Sequence, residues 1–201
     1  MRKKTNFIKI KRNRKVPLFS IITVVKNGEK HIEKCIKSVL KQKINDIEYI
    51  IIDGKSNDNT LKILKKYIKK INILVSEKDK GIYDAFNKGI SLSSGKFIGI
   101  VNSDDYLTIN ALSIIKKYIN KKKFDFIFGS VKKHWGILHG YKPNKIYYSW
   151  GFYSSHSTGF FIANRAAKIV GKYNIKYKYH ADYDYFFRMI VKKKLKGMAT
   201  K

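Results

Sequence analysis

The sequence predicts an α/β protein with a doubly wound, mostly parallel central sheet and helices on both of its faces. Three observations carry that expectation. Short apolar, β-branched runs alternate four times with amphipathic segments of helical period. The runs are apolar at most positions, as strands buried on both faces require. They end in polar stretches rich in Asp, Asn, Gly and Lys, at the carboxyl ends of strands where sheets of this kind place their ligands.

The elements follow in order. Residues 1–15 carry many Lys and Arg with Phe7, Ile8 and Ile10 among them, and Pro17 marks entry to the folded part. The expectation is a mobile basic arm over residues 1–16 and one domain over residues 17–201. Residues 18–25 form the first strand and stop at Lys26, Asn27 and Gly28. Ile32, Cys35, Ile36, Val39 and Leu40 then recur at three and four residues, the stripe of an amphipathic helix. Residues 47–52 give a second strand, ending at Asp53 and a loop of helix-capping residues that includes Ser56, Asp58, Asn59 and Thr60. Leu61, Leu64, Ile68 and Ile71 mark the next helix, residues 73–76 a short strand, and residues 81–91 another helix. Residues 97–101 form the central strand, bounded by Gly95 and by Asn102 and Ser103. Beyond residue 120 the rhythm changes: residues 124–128 and 160–162 read as strands and 181–194 as a last helix. Residues 131–155 are dense in Tyr, Trp, His and Gly without a helical period, as an acceptor-binding surface or a meander with core-facing aromatics would be.

Composition sets the bounds. With 201 residues, 44% of them hydrophobic, one domain with a substantial core is expected. No apolar run approaches the roughly 18–20 residues of a membrane-spanning helix, and the basic first residues lack the apolar segment of a secretion signal, so a cytoplasmic chain is expected. The single Cys35 falls on the apolar helical stripe and reads as a buried thiol. The net charge of +30 either favours an anionic partner or reflects Lys filling solvated faces.

The chemistry concentrates where the central strand stops at Asp104 and Asp105. Adjacent carboxylates repel each other, and a divalent cation shared with phosphates relieves that repulsion; hard oxygen ligands suit Mg²⁺ or Mn²⁺. The alternative is that one of them caps the helix beginning near Asn110. Thr23, Asp53, the segment from Lys80 to Asp84, and Asp104 with Asp105 all stand at strand ends on one rim. Carboxylates that accept from base N–H or ribose hydroxyls, beside a Lys and a metal that neutralise a diphosphate, suit a sugar nucleotide. The Gly-rich phosphate loops of kinases, ATPases and NAD enzymes are absent, as is any His/Cys spacing for zinc.

The pieces Ser20-Ile21-Ile22-Thr23, Ile51-Ile52-Asp53-Gly54 with Ser56 and Asp58-Asn59-Thr60, Glu77 to Gly89, and Asn102-Ser103-Asp104-Asp105 come in one order. His156-Ser157-Thr158-Gly159-Phe160 and Ala181-Asp182-Tyr183-Asp184 follow. In that order and spacing the chain resembles the family-2 glycosyltransferases of GT-A fold, the type found in bacterial capsule, lipopolysaccharide and exopolysaccharide synthesis. The resemblance implies a nucleotide-sugar half over about residues 17–106 and an acceptor half over about 107–201. It implies that Thr23, Asp53, Lys80, Asp84 and Asp104 bind the nucleotide sugar, that Asp105 ligates Mn²⁺ or Mg²⁺, and that Asp182 is the general base. His156 would stand on the acceptor or donor-phosphate side. It further implies inverting transfer to a glycan or lipid-linked acceptor by a cytoplasmic enzyme, peripheral at the inner membrane face, where an anionic surface would meet the basic arm. The chain departs from the family pattern at Val24 and Lys26, where many members have Pro and Tyr, and at Gly54, where many have a second Asp.

Two other classes compete. A sugar-phosphate nucleotidyltransferase would want a Gly-rich basic loop after the first strand, which Lys26-Asn27-Gly28-Glu29 does not supply. A nucleic-acid-binding module would gather its cations on one motif, whereas here they are spread over every helix, so no specific nucleic acid is expected.

Overall fold

The computed structural model describes residues 6–11, 15–138, 142–147 and 157–200, with backbone alone for residues 6–9. The chain runs β1 (Asn6–Ile10), β2 (Phe19–Val25), α1 (Ile32–Leu40), β3 (Ile47–Asp53), α2 (Thr60–Lys66), β4 (Ile73–Ser76), α3 (Ile82–Leu92), β5 (Phe97–Ile100) and α4 (Ala111–Lys121). It continues through β6 (Phe126–Phe128), the hairpin β7 (Val131–Lys133) and β8 (Gly136–Leu138), a 3-10 turn at Pro143–Tyr147, β9 (Phe160–Ala163) and α5 (Asn164–Val170). It closes with α6 (Ala181–Phe187), a π-helical turn at Arg188–Lys192 and β10 (Gly197–Ala199).

Eight strands form one sheet in the order β1-β4-β3-β2-β5-β9-β6-β10. β4, β3, β2 and β5 are parallel, β9 is antiparallel to both β5 and β6, and β10 is parallel to β6. This is the mostly parallel, helix-covered sheet the apolar runs predict. β2 is buried along its whole length because both of its faces are covered. Ile22 and Val24 pack with α3, α5 and α6 on one side, while Ile21 and Val25 pack with α1, α2 and α4 on the other.

The arm expected over residues 1–16 requires correction for its described part. Residues 6–10 are a strand paired antiparallel with β4, Asn6 opposite Ser76 and Ile10 opposite Ile73. Phe7, Ile8 and Ile10, set among basic residues, do not by themselves fix a strand. The pairing comes instead from the open edge of β4, whose unpaired N–H and C=O groups take any extended segment that can reach them.

Gly99 marks a close approach at the centre of the sheet. It pairs with Phe161 of β9, and a Cβ at Gly99 would lie 2.5 Å from a ring carbon of that phenylalanine. Gly99→Val therefore overpacks the core and costs about 2 kcal/mol. At roughly 2–4 °C per kcal/mol for a domain of this size, a thermal melt should show Tm lower by several degrees; an unchanged Tm would mean that Phe161 yields without cost.

Candidate active site

β3 and β4 lie to one side of β2 and β5 lies to the other, so the strand order reverses between β2 and β5. Open α/β sheets place a crevice at such a reversal, beyond the carboxyl ends of the strands. The structure has one there, a cleft of about 430 Å³. β2 contributes Val24, Val25 and the following Lys26; the turn after β5 contributes Asn102, Ser103 and Asp104; and the head of α3 contributes Gly81, Ile82 and Ala85, with Asp79 just before it. A larger cleft of about 670 Å³, around Lys96, Lys122, Lys123 and Arg165, lies at the opposite end of β5 and has no carboxylate on its wall. The smaller one carries the chemistry.

The loops after β2 and β3, next to the cleft-lining Lys26, are locked together. The N–H groups of Asn27, Gly28 and Glu29 donate to Ser56 Oγ (2.8 Å), Thr60 Oγ1 (2.8 Å) and Asp58 Oδ2 (3.1 Å). In return Asn57 and Asn59 donate to the side chains of Asn27 and Glu29, each at 2.9 Å. The capping residues after Asp53 thus brace the loop after β2, which is not free to wrap a phosphate as a nucleotidyltransferase loop would.

Asp104 lines the cleft. Asp105, next to it, is clamped: among the described residues its Oδ2 accepts from Thr158 Oγ1 at 2.5 Å and from Asn102 Nδ2 at 3.3 Å. Asn102 Oδ1 is buried with no hydrogen-bond partner among the described residues. An orphaned oxygen beside a pair of carboxylates is a donor set that a hard cation suits, so Asp104 and Asp105 fit Mn²⁺ or Mg²⁺. No group of three or more His, Cys, Asp or Glu gathers as a metal site among the described residues, so phosphate oxygens and water would have to complete the coordination. On its other side Asp105 borders a second pocket of about 340 Å³, walled in part by Leu107, Ile115 and Phe161.

Asp182 is in the first turn of α6, where its Oδ1 accepts from the Tyr183 N–H at 3.0 Å and from the Tyr83 hydroxyl at 3.3 Å. The N-cap position is held by His180, in left-handed backbone with φ +62°, so capping is not the role of Asp182. Burial first, then the charge of Asp182, holds the Tyr83 phenol above its usual range.

The structure places three of the expected donor residues off the cleft wall. Thr23 is fully buried, its hydroxyl 3.1 Å from Tyr49 Oη and 3.6 Å from Cys35 Sγ, so it faces the helical layer of α1 and not the cleft. Burial also pushes the Cys35 thiol up to about 11, in keeping with an inert core position. Asp53 is fully buried too, and accepts from Ser56 Oγ (2.5 Å), Ser76 Oγ (2.6 Å) and the Ser56 N–H. It braces the loop after β3 and is not on the cleft wall. Asp84 accepts from the Lys80 N–H at 3.0 Å and pairs with Lys88 at 3.3 Å, which ties off the head of α3 outside the cleft wall. Lys80 is exposed next to Gly81. His156 lies outside the described residues.

Asp79, inside one of the quoted pieces but given no role by the sequence, is on the cleft wall. A Cβ at Gly54 with a side chain beyond it would occupy its place, since the Asp79 Oδ2 stands 2.3 Å from that Cβ position. The departure at Gly54 was the available signal: where many members carry a second Asp, this chain leaves room for a carboxylate arriving from another loop.

A mostly parallel sheet with an acid-walled cleft at its point of reversal, extended by an antiparallel strand, defines an α/β protein of GT-A fold. The chain belongs to glycosyl transferase family 2, whose profile matches residues 20–195. It is 27% identical over 191 residues to a PGL/p-HBAD biosynthesis glycosyltransferase of Mycobacterium bovis BCG, covering 86% of this chain and 69% of the relative. It is 30% identical over 116 residues to the glycosyltransferase GlyG of Streptococcus pneumoniae, covering 56% of this chain and 38% of GlyG. Among solved structures it superposes on S. aureus TarS 1-349 with a TM-score of 0.78 at 21% identity, covering 90% of this chain and 57% of that one. It superposes on a Pyrobaculum calidifontis mannosyltransferase with a TM-score of 0.71 at 15% identity, covering 98% and 58%. The chain thus spans well under two thirds of GlyG and of TarS 1-349. No helix among its described residues is long and apolar enough to cross a membrane.

Proposed function

We propose that the chain is an inverting, divalent-metal-dependent glycosyltransferase that moves a sugar from a nucleotide-diphosphate sugar to a hydroxyl of a glycan or lipid-linked acceptor in cell-surface polysaccharide synthesis. The observation that carries this reading is the cleft at the reversal point. It has Asp104 on its wall and Asp105 beside it, and through the first turn of α3 it adjoins Asp182. TarS has been solved with UDP-GlcNAc and the Pyrobaculum enzyme with GDP-Man and Mn²⁺, which supports a nucleotide-sugar donor and a metal here.

Asp79 and Asp104 offer acceptors to base or ribose, and Lys26 offers a cation to phosphate. Asp182 takes the proton from the acceptor hydroxyl as that oxygen bonds to the anomeric carbon and the bond to the diphosphate oxygen breaks; one displacement inverts the centre. A divalent cation held by Asp105 and Asp104 would neutralise charge on the departing diphosphate. The apolar wall of the pocket beside Asp105 supports an acceptor with an apolar portion, and the net charge of +30 favours work at the anionic inner face of a membrane.

A thermal-shift panel of UDP, GDP, CDP and ADP, with and without Mn²⁺, tests the reading. One nucleotide at a hundredfold excess over its Kd should add about 2.7 kcal/mol, a rise of roughly 5–10 °C in Tm for a domain of this size, and most of it should need the metal. Equal shifts for all four nucleotides, or shifts indifferent to Mn²⁺, would sink it.

A further inference from the structure

We propose that Tyr83 is the positioning residue for Asp182: its hydroxyl fixes one carboxylate oxygen so that the other faces the acceptor, and it ties the base to the helix turn that lines the donor cleft. The inference rests on the reading of Asp182 as the general base.

Both hydrogen bonds that Asp182 accepts among the described residues go to Oδ1, from the Tyr183 N–H and the Tyr83 hydroxyl. Oδ2 is thereby the oxygen left to take a proton. Tyr83 itself has little freedom. Its ring stacks on Tyr173 with centroids 5.8 Å apart at 16° and meets Phe86 edge-on at 5.8 Å. Tyr173 in turn stacks on Tyr185 at 4.1 Å and 10°. Tyr185 belongs to α6, the helix of Asp182, so the column begins on α3 and ends on the element that carries the base.

The column is fastened to the backbone as well. Asn87 of α3 donates to the Tyr173 carbonyl at 2.9 Å and accepts from the Tyr173 N–H at 2.8 Å. Arg188 lies over the Tyr185 ring at 5.3 Å and pairs with Asp184 at 3.0 Å. A hydroxyl held by stacked rings and reciprocal hydrogen bonds loses little further entropy in orienting its partner, which is the condition for preorganisation. The same turn presents Gly81, Ile82 and Ala85 to the cleft, so donor seating and base placement share one rigid piece. A plain structural tie between α3 and α6 would show the same bond, and the test is chosen to separate the two.

Wild type, Tyr83→Phe, Asp182→Asn and the double variant are compared for hydrolysis of UDP-N-acetylglucosamine with Mn²⁺, water standing in for the acceptor, and for UDP affinity. Phenylalanine keeps the ring stack and removes the hydroxyl alone. Tyr83→Phe should lower kcat roughly tenfold, the size of one hydrogen bond to a charged group, and leave the UDP Kd unchanged. In the Asp182→Asn background it should cause no further loss, because it acts through that carboxylate. An equal fractional loss in both backgrounds, or a fall in UDP affinity, overturns the positioning role. Wild-type turnover in Asp182→Asn overturns instead the assignment of the base. A readout free of turnover is the titration of Tyr83 followed by ¹³Cζ NMR, its resonance identified by absence from Tyr83→Phe. Removing the Asp182 charge should bring that titration down toward the ordinary value near 10, and an unmoved titration also overturns the proposal.

Discussion

Replacing Asp182 by asparagine lowers turnover by roughly 10²–10⁴-fold, the range for loss of a general base, and leaves nucleotide affinity nearly untouched. An amide of the same shape keeps an oxygen for the Tyr183 N–H and the Tyr83 hydroxyl but has no lone pair basic enough to take the acceptor proton. The two readouts separate because Asp182 is absent from the wall of the donor cleft, which is built from β2, the turn after β5 and the head of α3. Steady-state kcat and the UDP dissociation constant, measured on the same preparation, check both halves. Collapse of UDP affinity would make Asp182 a donor-site residue.

Asp105→Asn removes the Mn²⁺-dependent part of nucleotide stabilisation. The side chain is partly buried and clamped by Thr158 and Asn102 through Oδ2, and asparagine can keep that clamp, so the fold survives. What it loses is a full negative charge where a hard cation would be held, and a neutral amide oxygen is a much poorer ligand for Mn²⁺ beside a diphosphate. At saturating Mn²⁺ the variant should melt with UDP at the temperature it shows without the metal, while its Tm in buffer alone stays close to wild type. A metal increment of the wild-type size in Asp105→Asn would exclude it as the ligand.

Much of the sheet was legible because burial on both faces leaves a continuous apolar run that few other environments tolerate. Residues 73–76 and the helix built on Ile32, Cys35, Ile36 and Val39 appear where that reasoning places them. The same continuity explains the misplacement of Thr23. In a run apolar at nearly every position, period-two alternation gives no sign of which residues face which side, and Thr23 faces Cys35 and Tyr49. β1 escaped for a different reason, since its Phe7, Ile8 and Ile10 lie among many Lys and Arg and its partner is an edge 60 to 70 positions further along the chain.

The residue pattern was sufficient to set the order of strands and helices from the first buried strand to the central one, the burial of the parallel core, and the presence of two neighbouring acids at the end of the central strand. Those properties follow from local propensity and from the hydrophobic sorting of each segment. The side of each strand that carries a given polar group, and the partners those groups find, came only with packing. Asp79 reaches the space over Gly54, Asp53 is consumed by Ser56 and Ser76, and Tyr83 meets Asp182 from 99 residues away. Each such contact joins side chains whose neighbourhood is set by how helices and loops settle on the sheet, a three-dimensional constraint with no periodicity in the linear chain.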